Sequence, residues 1–170
     1  MKKSNLTKAL VRELFDYNPE TGQLIRATTL KGIYKAGDIV SSLDVRGYLR
    51  TKIGGRSYKA HRLIWFWVHG EFPKKDLDHI NHDKTDNRLV NLREVTAMEN
   101  ARNKPKSNRN KSGVTGVYWG KNDNRWRVFI GVDGKKVNLG NFVEFHEAVN
   151  ARKNAEVLYG FHENHGKDNG

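Results

Sequence analysis

The stretch Arg102–Ser112, RNKPKSNRNKS, contains no large apolar side chain. Such a segment buries too little surface to offset the entropy of ordering it. It divides the chain, so the parts before and after it must each build their own core. Residues 104–112 therefore read as a basic linker. It is either a solvated tether or an arm laid along phosphates through Lys104, Lys106, Arg109 and Lys111.

Charge follows the same division. The chain carries a formal +12. From Lys74 to Asn103 six Lys/Arg face six Asp/Glu, whereas from Arg102 to Lys136 ten Lys/Arg face two Asp/Glu, a local net of +8. Such a balance suits a polyanionic partner, nucleic acid or an anionic membrane surface. No apolar run approaches the roughly 20 residues of a membrane span. The N-terminus MKKSNLTKALVRELF lacks the unbroken apolar core of a secretion signal. The chain has no Cys, so no disulfide framework exists. The expectation is a soluble, cytoplasmic protein.

Before the linker, Leu6 to Phe15 reads as an amphipathic helix with Leu6, Leu10, Leu14 and Phe15 inward. Asn18–Gly22 is turn chemistry, and residues 23–27 read as a strand. Residues 48–53 and 56–59 form a hairpin about Gly54-Gly55. His61–His69, HRLIWFWVH, reads as a buried helix stopped by Gly70, with Trp65, Phe66 and Trp67 in the core.

Polar chemistry gathers in Leu77–Asn103, LDHINHDKTDNRLVNLREVTAMENARN. Asp78-His79 ends a short apolar run, a polar loop follows, and Asn91 precedes a second run, Leu92–Val95. Thr96-x-x-Glu99 then reads as a capping box with Asn100 just inside the helix. An Asp-His pair by itself is commonly a surface turn. A calcium loop fits poorly, since Asp78, Asn81 and Asp83 lack the required spacing and no Gly or bidentate Glu follows in place. A zinc site through His79 and His82 lacks a Cys to complete it.

The residues Asp78-His79, Asn91-Leu92 and Asn100 resemble the HNH nuclease motif, a ββα-metal finger, in its phage and intron-encoded homing branch. The Tyr-x-x-His-Arg-Leu helix before them is similar to the usual preface of such proteins, and His61 could reach the site. The resemblance implies that His79 is the general base, that Asp78 and Asn100 hold one divalent ion, and that Asn91 braces the loop. A neutral imidazole suits a base near pH 7. A carboxylate and an amide oxygen are hard ligands, fitting Mg²⁺ or Mn²⁺.

After the linker, residues 114–119, 125–132 and 135–142 read as three strands, with Asp133-Gly134 a hairpin signal. Residues 144–159 read as a helix with Phe145, Ala148, Val149, Ala155 and Leu158 apolar, ended by Gly160. One helix covers one sheet face and leaves the other for a partner. Gly113-Val114-x-Gly116-Val117-x-Trp119, Trp126-Arg127-Val128, Leu139-Gly140-x-Phe142 and Glu147-Ala148 resemble the plant ethylene-response-factor DNA-binding domain. The resemblance implies DNA contacts from Lys121, Arg125, Trp126, Arg127, Lys135 and Lys136, with Trp119 or Trp126 stacking. The first strand is poorer in Arg than the plant domain, so base contacts do not carry over one by one.

The expected fold is α+β: an N-terminal helix and β-hairpin region leading into the ββα-metal finger, then a three-stranded antiparallel sheet on one helix. The expected domains are an HNH nuclease domain over 1–103 (core 77–103), the linker, and a DNA-binding domain over 113–162. The expected activity is metal-dependent DNA hydrolysis, nicking double-stranded DNA as a monomer, with no membrane partner. A non-catalytic DNA-binding regulator is the alternative. An RNA-binding protein is the third, against which the tail lacks the aromatic pairs of an RNA-recognition sheet.

Overall fold

The first helix is shorter than the sequence indicates in the computed structural model, which describes residues 6–30 and 33–167. Helix α1 spans Lys8–Leu14, and the Thr7 hydroxyl caps it by accepting from the Leu10 amide. Val11, not a leucine, is its fully buried residue. Phe15 is buried as expected, but from the start of strand β1, Phe15–Asn18. The chain is an α+β protein whose elements fall into two compact units, Met1–Val95 and Thr96–Gly170.

In the first unit β1 pairs antiparallel with β2 (Gln23–Arg26), and β3 (Arg50–Ile53) pairs with β4 (Arg56–Lys59). Gly54 and Gly55 both take positive φ in the turn between β3 and β4. Helix α2, Ala60–His69, ends at Gly70 in the left-handed conformation, φ 83°. The buried apolar residues of α2 are Ala60, Leu63, Ile64 and Phe66. They pack with Val11, Phe15, Leu24 and Val40. Trp67 lies against this core and donates to the Phe15 carbonyl at 2.8 Å. Trp65 instead lies beside His69, ring centres 4.3 Å apart, outside the core cluster. Strands β5 (Asp76–His79) and β6 (Leu92–Val95) form the last pair of this unit.

The second unit begins with helix α3, Ala97–Arg102, opened by the full Thr96–Glu99 capping box. The linker expectation fails here: residues 104–112 are folded into this unit. The Lys104 carbonyl accepts from Gly166 N at 2.9 Å, and Lys106 N donates to the Lys167 carbonyl at 2.9 Å. Ser112 Oγ donates to the Val117 carbonyl at 2.7 Å, and Asn110 Nδ2 to the Val114 carbonyl at 2.8 Å. Backbone pairing and polar side chains order this stretch without any large apolar side chain.

Strands β7 (Val117–Gly120), β8 (Arg125–Val132) and β9 (Lys135–Phe142) form the antiparallel sheet, order β7-β8-β9. The first strand is shorter than expected because Gly116 turns at φ 80° against the Phe129 carbonyl. Helix α4, Phe145–Leu158, covers one face, with Val117, Val128 and Ala148 at the centre. Its buried residues are Ala148, Arg152, Ala155 and Glu156, and Leu158 is exposed. Arg152 is satisfied by Glu156 at 3.0 Å and the Phe129 carbonyl at 2.7 Å.

Candidate active site

The β5–β6 pair sets Asp78 opposite Arg93 and His79 opposite Leu92. Alternation turns Leu77 and His79 inward and Asp76 and Asp78 to the other side. On that side Arg93 donates from Nε and Nη2 to Asp78 Oδ2, at 3.2 and 3.0 Å.

His79 is 4% exposed. Its Nε2 lies 3.0 Å from Asn87 Oδ1. An amide oxygen can only accept, so with this assignment Nε2 carries the hydrogen and Nδ1 is the basic nitrogen of the neutral ring. The ring stands edge-on to His61, centres 5.0 Å apart, and Tyr48 lies 5.8 Å from it. His61 comes from the first turn of α2, and Tyr48 precedes β3. Burial pushes the His79 pKa below its usual value, opposed by the Asn87 hydrogen bond and the Asp78 charge. The imidazole is therefore neutral at pH 7. Burial, then His79, pushes the His61 pKa down to about 3.

His61 makes stability depend on acid. Its folded pKa lies below the unfolded 6.5, so the unfolded chain binds the proton more readily. That stability is complete above pH 6.5 and is lost as pH falls toward 3. At about 1.4 kcal/mol per pH unit, roughly 3 kcal/mol should be gone by about pH 4. Melting curves of the native chain and His61→Phe between pH 7 and 4 check this. The variant should lose less stability over that range; equal losses would refute it.

Asn91 is buried across the loop that follows His79. Its Oδ1 accepts from Asn81 N at 3.0 Å, its Nδ2 donates to the Asp86 carbonyl at 2.8 Å, and its own carbonyl accepts from Ile80 N at 2.9 Å. The Asn81 side chain and Arg88 both donate to the Asp86 carboxylate.

Asn87 is the residue that reading the sequence missed. It is 1% exposed. The N-terminal hairpin holds it: Tyr17 Oη donates to the Asn87 carbonyl at 3.4 Å and accepts from Leu89 N at 3.1 Å. Gly22 lies so close that a Cβ there would fall 2.6 Å from Arg88 N and 2.9 Å from Asn87 C. Nothing in the polar run DKTDNR distinguishes this buried Asn from its solvated neighbours.

Asn100 stands on α3 in the second unit, half-buried. Among the described residues, no three His, Asp or Glu side chains cluster to hold a metal ion. Asp78 offers a hard carboxylate, which is ion-paired with Arg93 at 3.0 Å. A carboxylate and an amide oxygen are each donors of the type that suits Mg²⁺ or Mn²⁺.

Of the basic candidates, Lys104, Arg109, Lys111, Lys121, Arg125, Lys135 and Lys136 are exposed and Lys106 is half-buried. Arg127 pairs with Asp123 at 3.2 Å. Tyr118, opposite Arg127, and Arg125, opposite Gly120, share the open sheet face with it. In sequence, Trp126 is open to either core packing or DNA contact. It lies on the helix face opposite Trp119, with its ring centre 4.6 Å from that of Phe145.

The HNH endonuclease family model matches residues 58–102, which include His61, Asp78, His79, Asn87, Asn91 and Asn100. Protein 3.8 of Escherichia phage T7 is 34% identical over 86 residues, spanning 48% of this chain and 71% of that protein. A solved structure of DNA binding and cleavage by the HNH homing endonuclease I-HmuI aligns at 24% identity and a TM-score of 0.34. That alignment covers 48% of this chain, which spans under half of the structure, 46%. No helix among the described residues is long and apolar enough to cross a membrane.

Proposed function

From the premise that the chain belongs to the family of phage T7 Protein 3.8 and carries an HNH endonuclease domain, we propose that it is a metal-dependent DNA endonuclease of the homing type. The observation that carries this reading is His79, buried and neutral, with Nε2 on Asn87 Oδ1 at 3.0 Å. That contact aims Nδ1 as the base. Nδ1 takes a proton from water, the water oxygen bonds to phosphorus, and the bond from phosphorus to the 3′ oxygen breaks. The Asn91 clamp holds the loop against which His79 is set. Asp78 and Asn100 would hold one Mg²⁺ or Mn²⁺. When bound, the ion neutralises phosphate charge and the departing oxygen.

Double-stranded DNA is the partner of this reading. The basic side chains of 104–111 grip phosphates, and the open sheet face with Arg125, Arg127 and Lys136, similar to the ethylene-response-factor sheet, reads the site. A single site per chain makes the product a nick and the working form a monomer. A second reading, DNA binding without cleavage, is favoured by one observation: Arg93 already neutralises Asp78.

Metal titration separates the two. Cleavage rate against Mn²⁺ concentration should shift to a higher midpoint in both Asp78→Ala and Asn100→Ala, each removing one hard oxygen. An unchanged midpoint in Asn100→Ala would remove Asn100 from the ligand set. Absence of metal-dependent cleavage in the native chain, with duplex binding intact, would leave the binding-only reading standing.

A further inference from the structure

The folded basic stretch forms one wall of a cavity of about 380 Å³ within the second unit. Its floor is aromatic. Trp119 is 46% exposed and meets Trp126 edge-on, ring centres 5.0 Å apart. Trp126 is braced in turn by Phe145. The rim carries Arg109, Lys111 and Lys121, and no carboxylate occurs among the described lining residues. Hydrogen bonds from Ser112 and Asn110 fix the wall onto the chain entering β7, so the cavity is preformed.

An exposed indole on a rigid backing, ringed by cations, has the two parts of a single-strand nucleotide site. A base stacks on the aromatic face, and its flanking phosphates meet the cations. A base paired within a duplex has its faces occupied by neighbouring bases and does not enter such a cavity. The cavity also lies on the helix side of the sheet, apart from the face that carries Arg125 and Arg127.

We infer that the Trp119 cavity, rimmed by Arg109, Lys111 and Lys121, binds one unpaired nucleotide of a DNA strand, base on indole and phosphates on the rim. The inference rests on the reading of the chain as a DNA-binding protein. It adds a site for unstacked strand to that reading. Such strand arises at a nick or at a locally opened target.

Fluorescence anisotropy of the full chain tests it on labelled oligothymidylate, an abasic oligomer with the same number of phosphates, and a duplex. The native chain should bind oligothymidylate about tenfold or more tightly than the abasic oligomer, the scale of one stacked base. Trp119→Ala should erase that gap and leave abasic and duplex binding unchanged. Trp119→Phe keeps a ring and gives a second readout: the affinity gap survives while quenching of indole fluorescence by bound thymine is lost. No gap in the native chain, or a gap that survives Trp119→Ala, would overturn the site. A larger Trp119-dependent gap on oligouridylate would reassign it to RNA. A chain that binds the duplex but shows no gap loses only this cavity. A chain that binds none of the three loses the DNA reading as well.

Discussion

Replacing His79 with Ala is expected to slow DNA cleavage by roughly 10²-fold or more, the scale of losing a general base. Duplex affinity should change little, because the proposed reading assigns duplex binding to basic side chains elsewhere in the chain. The ring is buried against His61 and Tyr48, so the variant's melting temperature must be measured alongside its rate. A folded His79→Ala protein that cleaves at the native rate would remove this residue from the chemistry. His79→Gln gives a companion test, since it fills similar space without a titratable nitrogen and should be as slow.

The second large effect is expected far from Asp78-His79 in sequence. Gly22 takes φ +74°, and a Cβ there would lie 2.6 Å from Arg88 N and 2.9 Å from Asn87 C. Both are backbone atoms of the loop that presents Asn87, so no flexible side chain can give way. Gly22→Ala should cost about 2–4 kcal/mol, combining left-handed backbone strain with overpacking. It should also lower cleavage in the surviving folded protein by displacing Asn87 from His79. Gly55→Ala is the matched control: it shares a positive φ of +81° with nothing within 4 Å. Thermal melts of the two variants decide the matter. Equal losses would show that the close approach at Gly22 carries no weight.

Features written in neighbouring residues were legible in the sequence. Thr96-x-x-Glu99 specifies its own capping box, Gly70 its helix stop, and Asp133-Gly134 its hairpin, because each is settled within a few bonds along the chain. Strand β1 was not, since Phe15–Asn18 continues directly from α1 and is defined by its pairing with Gln23–Arg26. The basic stretch was misread for the same reason. Its order comes from the tail around His162–Lys167, whose residues carry no pattern that announces a partner. In α4, apolar type does not show which residues face the sheet, and Leu158 is exposed. The observed inward row instead brings Arg152 and Glu156 under the sheet, where each satisfies the other.

The candidate residues Asp78-His79, Asn91 and Asn100 stand out in the sequence, but the residues around them do not. Asn87 is one polar residue in a polar loop, and only its 3.0 Å contact with Nε2 distinguishes it. Tyr17 supports it from across the unit. Arg93 reads as an ordinary exposed strand residue until its register against Asp78 is known.

Incubation of the full chain with supercoiled plasmid and Mg²⁺ or Mn²⁺, against the same mixture with EDTA, tests the central claim most directly. Relaxed circles should form with metal, vanish with EDTA, and be absent from the His79→Ala reaction. Linear product would keep the nuclease and replace the single nick by a double-strand cut. Plasmid that stays supercoiled under every metal condition, while the same preparation retards duplex DNA, would contradict the account.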